Sequence, residues 1–338
     1  MTDDNRSAAI AGFLAAAGWS GAAPAPLAAD ASLRRYYRLA DGARRAVLMD
    51  APPPENVPGY IDVAGLLRRW RLSAPEIYAA DIERGLLLIE DFGDASYTRL
   101  LADGADEAAL YALAVDALIA LQRAAAAHPL PDLPLYDEAR LLAEAALLPE
   151  WYAPAALGRA LSDAAQQDYL TRWRAVLPLA LLPPQTVALR DFHGDNLMLL
   201  PGRTGVRACG LLDFQDAMLG PAGYDLASLI EDARRDVPPA LRAAMTERYL
   251  GAFPGIDRDA FQRSATILAA QRNAKIIGLF VRLWRRDGKP AYLAHLPRVW
   301  RLFEGDLRRE PALAAIADWL DRHVPPSVRG IPAQRSAA

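Results

Sequence analysis

The chain has 338 residues, 53% of them hydrophobic, and a formal net charge of -3. That length and apolar content are enough to bury a large core, in one big domain or in two lobes. The small negative balance excludes a general attraction to nucleic acid or to an anionic membrane surface. A single cysteine, Cys209, excludes an internal disulfide. This fits a reducing compartment, so the expected location is the cytoplasm.

The opening stretch MTDDNRSAAIAGFLAAAGW begins with acids and reads as a short amphipathic helix rather than a signal peptide. No apolar run is expected to reach the roughly 20 residues that span a bilayer. YYRLADGARRAVLMD places strand-forming residues on both sides of Asp41-Gly42, a hairpin turn signal. Residues 58–72 set Ile61, Leu66 and Leu67 at helical spacing behind a proline, and EIYAADIERGLLLIEDF offers two more strands around Glu83-Arg84-Gly85. The first hundred residues therefore predict a small antiparallel sheet with one helix on it. From Asp106 onward the alanine- and leucine-rich segments repeat every three or four residues and predict a mainly helical region. Its exception is 186–214, where TVALRDF, NLMLLP and RACGLLDF are short apolar runs parted by polar turns.

That exception carries the chemistry. An apolar strand ends at Asp191, Asn196 follows five positions later, and the strand GLLDF delivers Asp213 twenty-two positions after Asp191. Phosphoryl transfer requires a group to orient the attacking hydroxyl and hard oxygen ligands to hold magnesium against phosphates. An Asp, an Asn and a second Asp beyond a hairpin supply this set. Each alone would suit an ordinary turn or strand end, but three in this order and spacing point to a kinase.

The arrangement resembles the catalytic loop and metal-binding strand of protein-kinase-like folds, most of all the aminoglycoside-phosphotransferase-like kinases. Within them it is similar to the bacterial cell-wall sugar kinases. The residues that carry this are DASLRRYYRL, VLMDAPP, LLLIEDFGD, LLPEWY, LRDFHGDNLM, LLDFQDAMLGPAGYDLASLIEDARRDV and QRNAKIIGLFVRL. The resemblance implies an α+β, two-lobed protein-kinase-like fold, with a small antiparallel sheet lobe over 1–92 and a helical lobe over 93–338. It implies ATP and Mg2+ in the interlobe cleft, with Asp191 as catalytic base and Asn196 and Asp213 as metal ligands. Ser32, Arg34, Arg35, Met49, Glu90 and Phe92 are expected around the nucleotide. Asp191, His193, Gln215, Arg235 and Asn273 are expected around a small sugar, N-acetylmuramate or N-acetylglucosamine, phosphorylated at its anomeric hydroxyl. A kinase for an aminoglycoside or a choline-like alcohol, or a nucleotide-binding pseudokinase, are the competing readings.

The chain departs from that pattern in its cations. Of 38 basic residues only Lys275 and Lys289 are lysines, so the lysine that usually grips phosphates in the third strand is absent and Met49 stands near its place. Arg34, Arg35 or Arg45 would have to supply the charge, with a planar fork in place of a compact ammonium. The glycine-rich loop is replaced by Asp30-Ala31-Ser32. Several residues carry plain alternatives. His193 and Asp195 suit hydrogen-bonded turn positions, and Asp225 in GYDLASL suits a helix start, while the resemblance implies that it supports the catalytic loop. EDARRDV at 231–237 reads as a solvated helix face or as arginines aimed at an anionic substrate. Arg272 and Asn273 either project to the substrate or join a core with Ile276, Ile277 and Phe280, and Glu150-Trp151-Tyr152 is expected mainly as core packing.

Overall fold

The computed structural model describes residues 3–27, 34–182 and 185–333. The chain begins with α1 (Asp3–Ala16), β1 (Ala25–Pro26), β2 (Arg35–Asp41), β3 (Arg44–Asp50), α2 (Val57–Arg69), β4 (Ile77–Asp81) and β5 (Leu86–Ile89). There follow α3 (Tyr97–Ala102), α4 (Glu107–Ala127), α5 (Glu138–Ala145), α6 (Ala153–Leu157) and α7 (Asp163–Ala180). Four short strands come next: β6 (Gln185–Ala188), β7 (Leu197–Leu199), β8 (Cys209–Leu211) and β9 (Met218–Pro221). The rest is α8 (Tyr224–Ile230), α9 (Pro239–Gly251), α10 (Arg258–Asp287), α11 (Leu296–Arg309) and α12 (Ala314–His323). Two compact units result, one of residues 1–121 with 194–217, the other of residues 122–193 with 218–338.

The first unit is built on a sheet of order β1-β2-β3-β5-β4, all neighbours antiparallel. The Asp41-Gly42 turn closes the β2–β3 hairpin, with Asp41 opposite Arg44 at one end and Arg35 opposite Asp50 at the other. Side chains alternate across the sheet. Leu39, Ala46, Leu48, Leu86 and Leu88 share one buried cluster with Leu14 and Trp19, leaving Val47 and Met49 on the other face. α2 starts where the Asn56 side chain accepts the Gly59 N–H at 2.9 Å, satisfying an end donor, and buries Tyr60, Val63, Leu66 and Leu67. The β7–β8 hairpin belongs to this unit and joins it through a bridge from Gly210 to Ser73.

The second unit pairs β6 with β9 and surrounds the 30-residue α10 with helices. Its core holds Tyr152, Tyr169, Trp173, Ile277, Phe280, Trp300, Phe303 and Trp319. Tyr152 is thus core, as its apolar surroundings led one to expect. The run 231–237 is not a solvated helix face: α8 ends at Ile230, and Glu231, Asp232, Ala233 and Val237 are buried in irregular chain. α4 also corrects the sequence reading, because its 21 residues, with a mean hydropathy of 1.4 over the most apolar window, are long and apolar enough to cross a membrane. Of that window 56% is buried inside the protein.

Candidate active site

In the second unit the chain makes a tight turn at Leu189-Arg190-Asp191. The Asp191 N–H donates to the Leu189 carbonyl at 2.9 Å, and Arg190 between them has a φ of 72°. An i→i+2 bond around a positive φ is a γ-turn of the strained kind, which persists only where its surroundings hold it. Here they do. The buried Asp225 carboxylate accepts the Leu189 N–H at 2.7 Å and the Arg190 N–H at 2.8 Å. The Arg190 guanidinium donates to Glu144 and lies 5.1 Å from the centre of the Tyr136 ring. Asp225 is therefore the support of the loop, the second of its two sequence readings. Burial pushes its carboxyl up to about 6, against the two N–H donors.

The turn presents Asp191 to a set of cations. Burial alone would raise its pKa, but the positive charges of Lys275, Arg190 and Arg272 outweigh burial and hold it below the ordinary carboxylate value. Lys275 donates to Glu144 at 3.0 Å, so one buried carboxylate fixes both Lys275 and Arg190. His193 is buried, and Arg234 Nη1 lies 3.4 Å from its Nε2. Because a guanidinium only donates, Nε2 accepts and the proton sits on Nδ1. Burial and Arg234 push the His193 pKa down, which keeps the ring neutral.

In the first unit, pairing of Leu197 with Leu211 puts the ends of β7 and β8 side by side, and the Leu212 N–H donates to the Asn196 carbonyl at 2.9 Å. Asn196 and Asp213 thereby become neighbours. Asp213 adopts a φ of 57°, another left-handed backbone at a non-glycine residue. Arg34 Nη2 donates to its Oδ1 at 2.7 Å, while Arg34 Nε stands 3.4 Å from Glu55 Oε2. Gln215 Nε2 donates to the same Oδ1 at 3.0 Å and to Asp216 at 3.1 Å. Among the described residues no group of three or more His, Cys, Asp or Glu side chains forms a metal cage. An amide and a carboxylate at one hairpin end instead fit magnesium, which takes few protein ligands and completes its shell with water and phosphate oxygens.

The remaining expected site residues are placed as follows. Arg35 is exposed at the start of β2, and Met49 is buried in β3 opposite Tyr36 and Leu87. Glu90 accepts from Arg203, whose guanidinium lies 5.2 Å from the Phe92 ring centre, and that ring packs against Gly210. Ser32 and the Asp30-Ala31-Ser32 turn lie outside the described residues. Asn273 is buried and donates at 3.0 Å to both Glu231 and Asp306. Its neighbour Arg272 is the one whose charge bears on both Asp191 and His193. Arg235 lines a cavity of about 860 Å3 with Glu231, Arg242 and Arg309.

Glu144 and Lys275 were not legible as site residues. The available signal was compositional: one of two lysines in an arginine-rich chain, set in the apolar stripe of α10.

The elements in this order, with a carboxylate on a tight turn and an Asn–Asp pair on the following hairpin, define a kinase-like phosphotransferase. Residues 24–262 match the phosphotransferase enzyme family, and the chain belongs to it. It is an ATP-dependent kinase. Among solved structures it is similar to a choline kinase from Streptococcus pneumoniae, with a TM-score of 0.63, 12% identity, and coverage of 93% of this chain and 99% of that one. A GDP complex of an aminoglycoside 2'-phosphotransferase gives a TM-score of 0.60 at 14% identity, covering 90% and 98%. These likenesses establish the protein-kinase-like fold. Closer relatives in sequence are the N-acetylmuramate/N-acetylglucosamine kinases of Caulobacter vibrioides and Pseudomonas aeruginosa. The first is 36% identical over 96% of this chain and 98% of its own length, the second 40% identical over 90% of each.

Proposed function

We propose that the protein transfers the γ-phosphoryl group of ATP to the anomeric hydroxyl of N-acetylmuramate, N-acetylglucosamine or both, in the cytoplasm, as a step of peptidoglycan recycling. The observation that carries this reading is similarity along nearly the whole chain to kinases named for those two sugars. Asp191 is the base. Held ionised by its cations, it accepts the proton of the sugar hydroxyl as that oxygen attacks phosphorus in line. An anomeric hydroxyl is more acidic than an ordinary alcohol, because the ring oxygen withdraws electron density, and its proton becomes transferable to a carboxylate as the oxygen–phosphorus bond forms. Asn196 and Asp213 would hold Mg2+, which supplies neutralisation of phosphate charge when bound. Ser32, Arg34, Arg35, Met49 and the segment Glu90 to Phe92 are assigned to the nucleotide, and His193, Gln215 and Arg235 to the sugar; Asn273, buried and bonded to Glu231 and Asp306, is assigned to the support of that site. Residues 1–92 are assigned to nucleotide binding and residues 93–338 to catalysis and acceptor binding.

The test is incubation with magnesium and ATP against N-acetylmuramate, N-acetylglucosamine, choline and an aminoglycoside, with ADP release measured and the product located by phosphorus NMR. An anomeric phosphate on an amino sugar, lost in Asp191→Ala, is expected. Phosphate on choline or on the aminoglycoside, with neither sugar turned over, would overturn the proposal.

A further inference from the structure

The missing phosphate-gripping lysine leaves three arginines as candidates, and the geometry of the first unit separates them. Arg45 lies five residues along β3 from Asp50, near the hairpin end where Asp41 meets Arg44. At about 3.3 Å per residue it is roughly 17 Å from the end of the sheet where Arg35 meets Asp50. Its guanidinium donates to the carbonyls of Gly42 and Arg44 on that distant turn. Arg35 is exposed, whereas the preceding Arg34 is buried, as alternation in extended chain requires. Three other cations of this unit are committed elsewhere: Arg6 to Asp50, Arg38 to Asp91 and Asp94, Arg203 to Glu90. Arg34 alone among them bonds the carboxylate assigned to the metal.

We infer that Arg34 is the phosphate-binding cation of this kinase and that it occupies the metal-ligand oxygen of Asp213 until nucleotide arrives, which makes metal binding conditional on nucleotide. The inference rests on the ATP-kinase reading above. Asp213 Oδ1 already accepts from Arg34 at 2.7 Å and from Gln215 at 3.0 Å. A metal ion approaching this oxygen meets a guanidinium's positive charge at contact distance, so the free protein opposes it. A polyphosphate presents several anionic oxygens suited to the planar fork. Once Arg34 turns to these, the Asp213 oxygen is released for the cation that the phosphates bring with them. Glu55, 3.4 Å from Arg34 Nε, keeps the guanidinium beside the site while it shifts as one planar group from Asp213 to the phosphates. No bond is made or broken in this exchange.

The experiment uses full-length protein as wild type, Arg34→Ala, Arg34→Gln, Arg34→Lys and Arg45→Ala. Calorimetry with ADP in magnesium measures nucleotide binding, and electron paramagnetic resonance with Mn2+ alone measures metal binding. Loss of one charge-assisted contact should weaken ADP binding about ten- to a hundred-fold in Arg34→Ala and Arg34→Gln. Arg34→Lys should recover part of it, and Arg45→Ala should match wild type. Mn2+ without nucleotide should bind several-fold more tightly in Arg34→Ala and Arg34→Gln than in wild type. A merely structural role would weaken both ligands together, and that result overturns the inference. So does ADP binding unchanged in Arg34→Gln, the variant that carries the test if Arg34→Ala does not fold. Wild-type protein that binds no ADP at all would refute the kinase reading itself.

Discussion

Replacing Asp225 by Asn should damage turnover far more than neutral-pH stability, and the structure gives the reason for both. The carboxylate accepts two backbone N–H groups from the strained turn. An amide has one acceptor oxygen and turns an NH2 toward the other donor, so one buried N–H loses its partner at about 1–3 kcal/mol. Against this, burial raises the Asp225 pKa from 3.8 to about 6. A carboxyl raised that far has an ionised form that weakens the fold by ~3 kcal/mol relative to the protonated one. Asn, being neutral, removes that penalty, and the two effects nearly cancel at pH 7.5. The sign follows from linkage: between 3.8 and about 6 the folded protein binds more protons than the unfolded chain, so this group's stabilisation is complete below about 3.8 and is lost as the pH rises through about 6. Urea unfolding at pH 4.5 and 7.5 should therefore show wild type losing more stability than Asp225→Asn over that interval, by about 2 kcal/mol. In the same variant the turn relaxes and Asp191 shifts. A displacement on the order of 1 Å costs about a hundred-fold in rate, so kcat should fall by about that factor while the Kd for ADP holds. Wild-type kcat in Asp225→Asn, or the same pH slope of stability in both proteins, would refute this account.

Lys275→Met removes the cation that does most to hold the Asp191 pKa down; the acid limb of the kcat profile should move to higher pH, and an unmoved limb would show that Lys275 does not act on the base. Gly278→Ala places a Cβ within 2.1 Å of the Leu147 backbone; overpacking of about 1–3 kcal/mol should lower Tm by roughly 1.5–4 °C, whereas Gly251→Ala, with open space around it, should leave Tm close to wild type. Cys209 is buried and its thiol is pushed up to about 12 by desolvation; Ellman's reagent should react with it only after unfolding, and rapid labelling of native protein would contradict that burial.

Much of the first unit was legible because its signals are local. Asp41-Gly42 closes a hairpin wherever strand-forming residues flank it, and the proline before Ile61 starts a helix that needs no distant partner. The Asp191, Asn196 and Asp213 constellation was legible for a related reason, since short strands and turns fix all three within twenty-three residues of chain. Glu144 was not. It lies 46 residues before Arg190 and 131 before Lys275, and nothing in a charged residue's own neighbourhood says which distant cation it will meet. The 231–237 run misled for the opposite reason: its charge density suits a solvated face, but buried Glu231 and Asp232 are tied to α10, α11 and the catalytic segment, with Asn273 and Arg309 bonded to Glu231. Arg272 and Asn273 illustrate the limit of one-residue resolution, because adjacent positions on a helix point about 100° apart. One therefore acts on Asp191 while the other fastens Glu231 to Asp306.

Backbone strain supplies an independent argument for the same residues. Arg71, Arg190 and Asp213 are the non-glycine residues with positive φ among those described, a conformation that costs about 1–3 kcal/mol unless the surroundings fix it. Two of the three border or form the assigned chemistry. At Arg190 the strain is balanced by Asp225 on the backbone and by Glu144 and Tyr136 on the side chain. At Asp213 it is balanced by Arg34 and Gln215. Glycine would adopt either geometry more easily, yet it would remove the guanidinium that ties the turn to Glu144 in one case and the carboxylate itself in the other. The strained backbone at each position therefore aims a side chain that glycine could not supply: a guanidinium onto Glu144 in one case, a carboxylate at the hairpin end in the other.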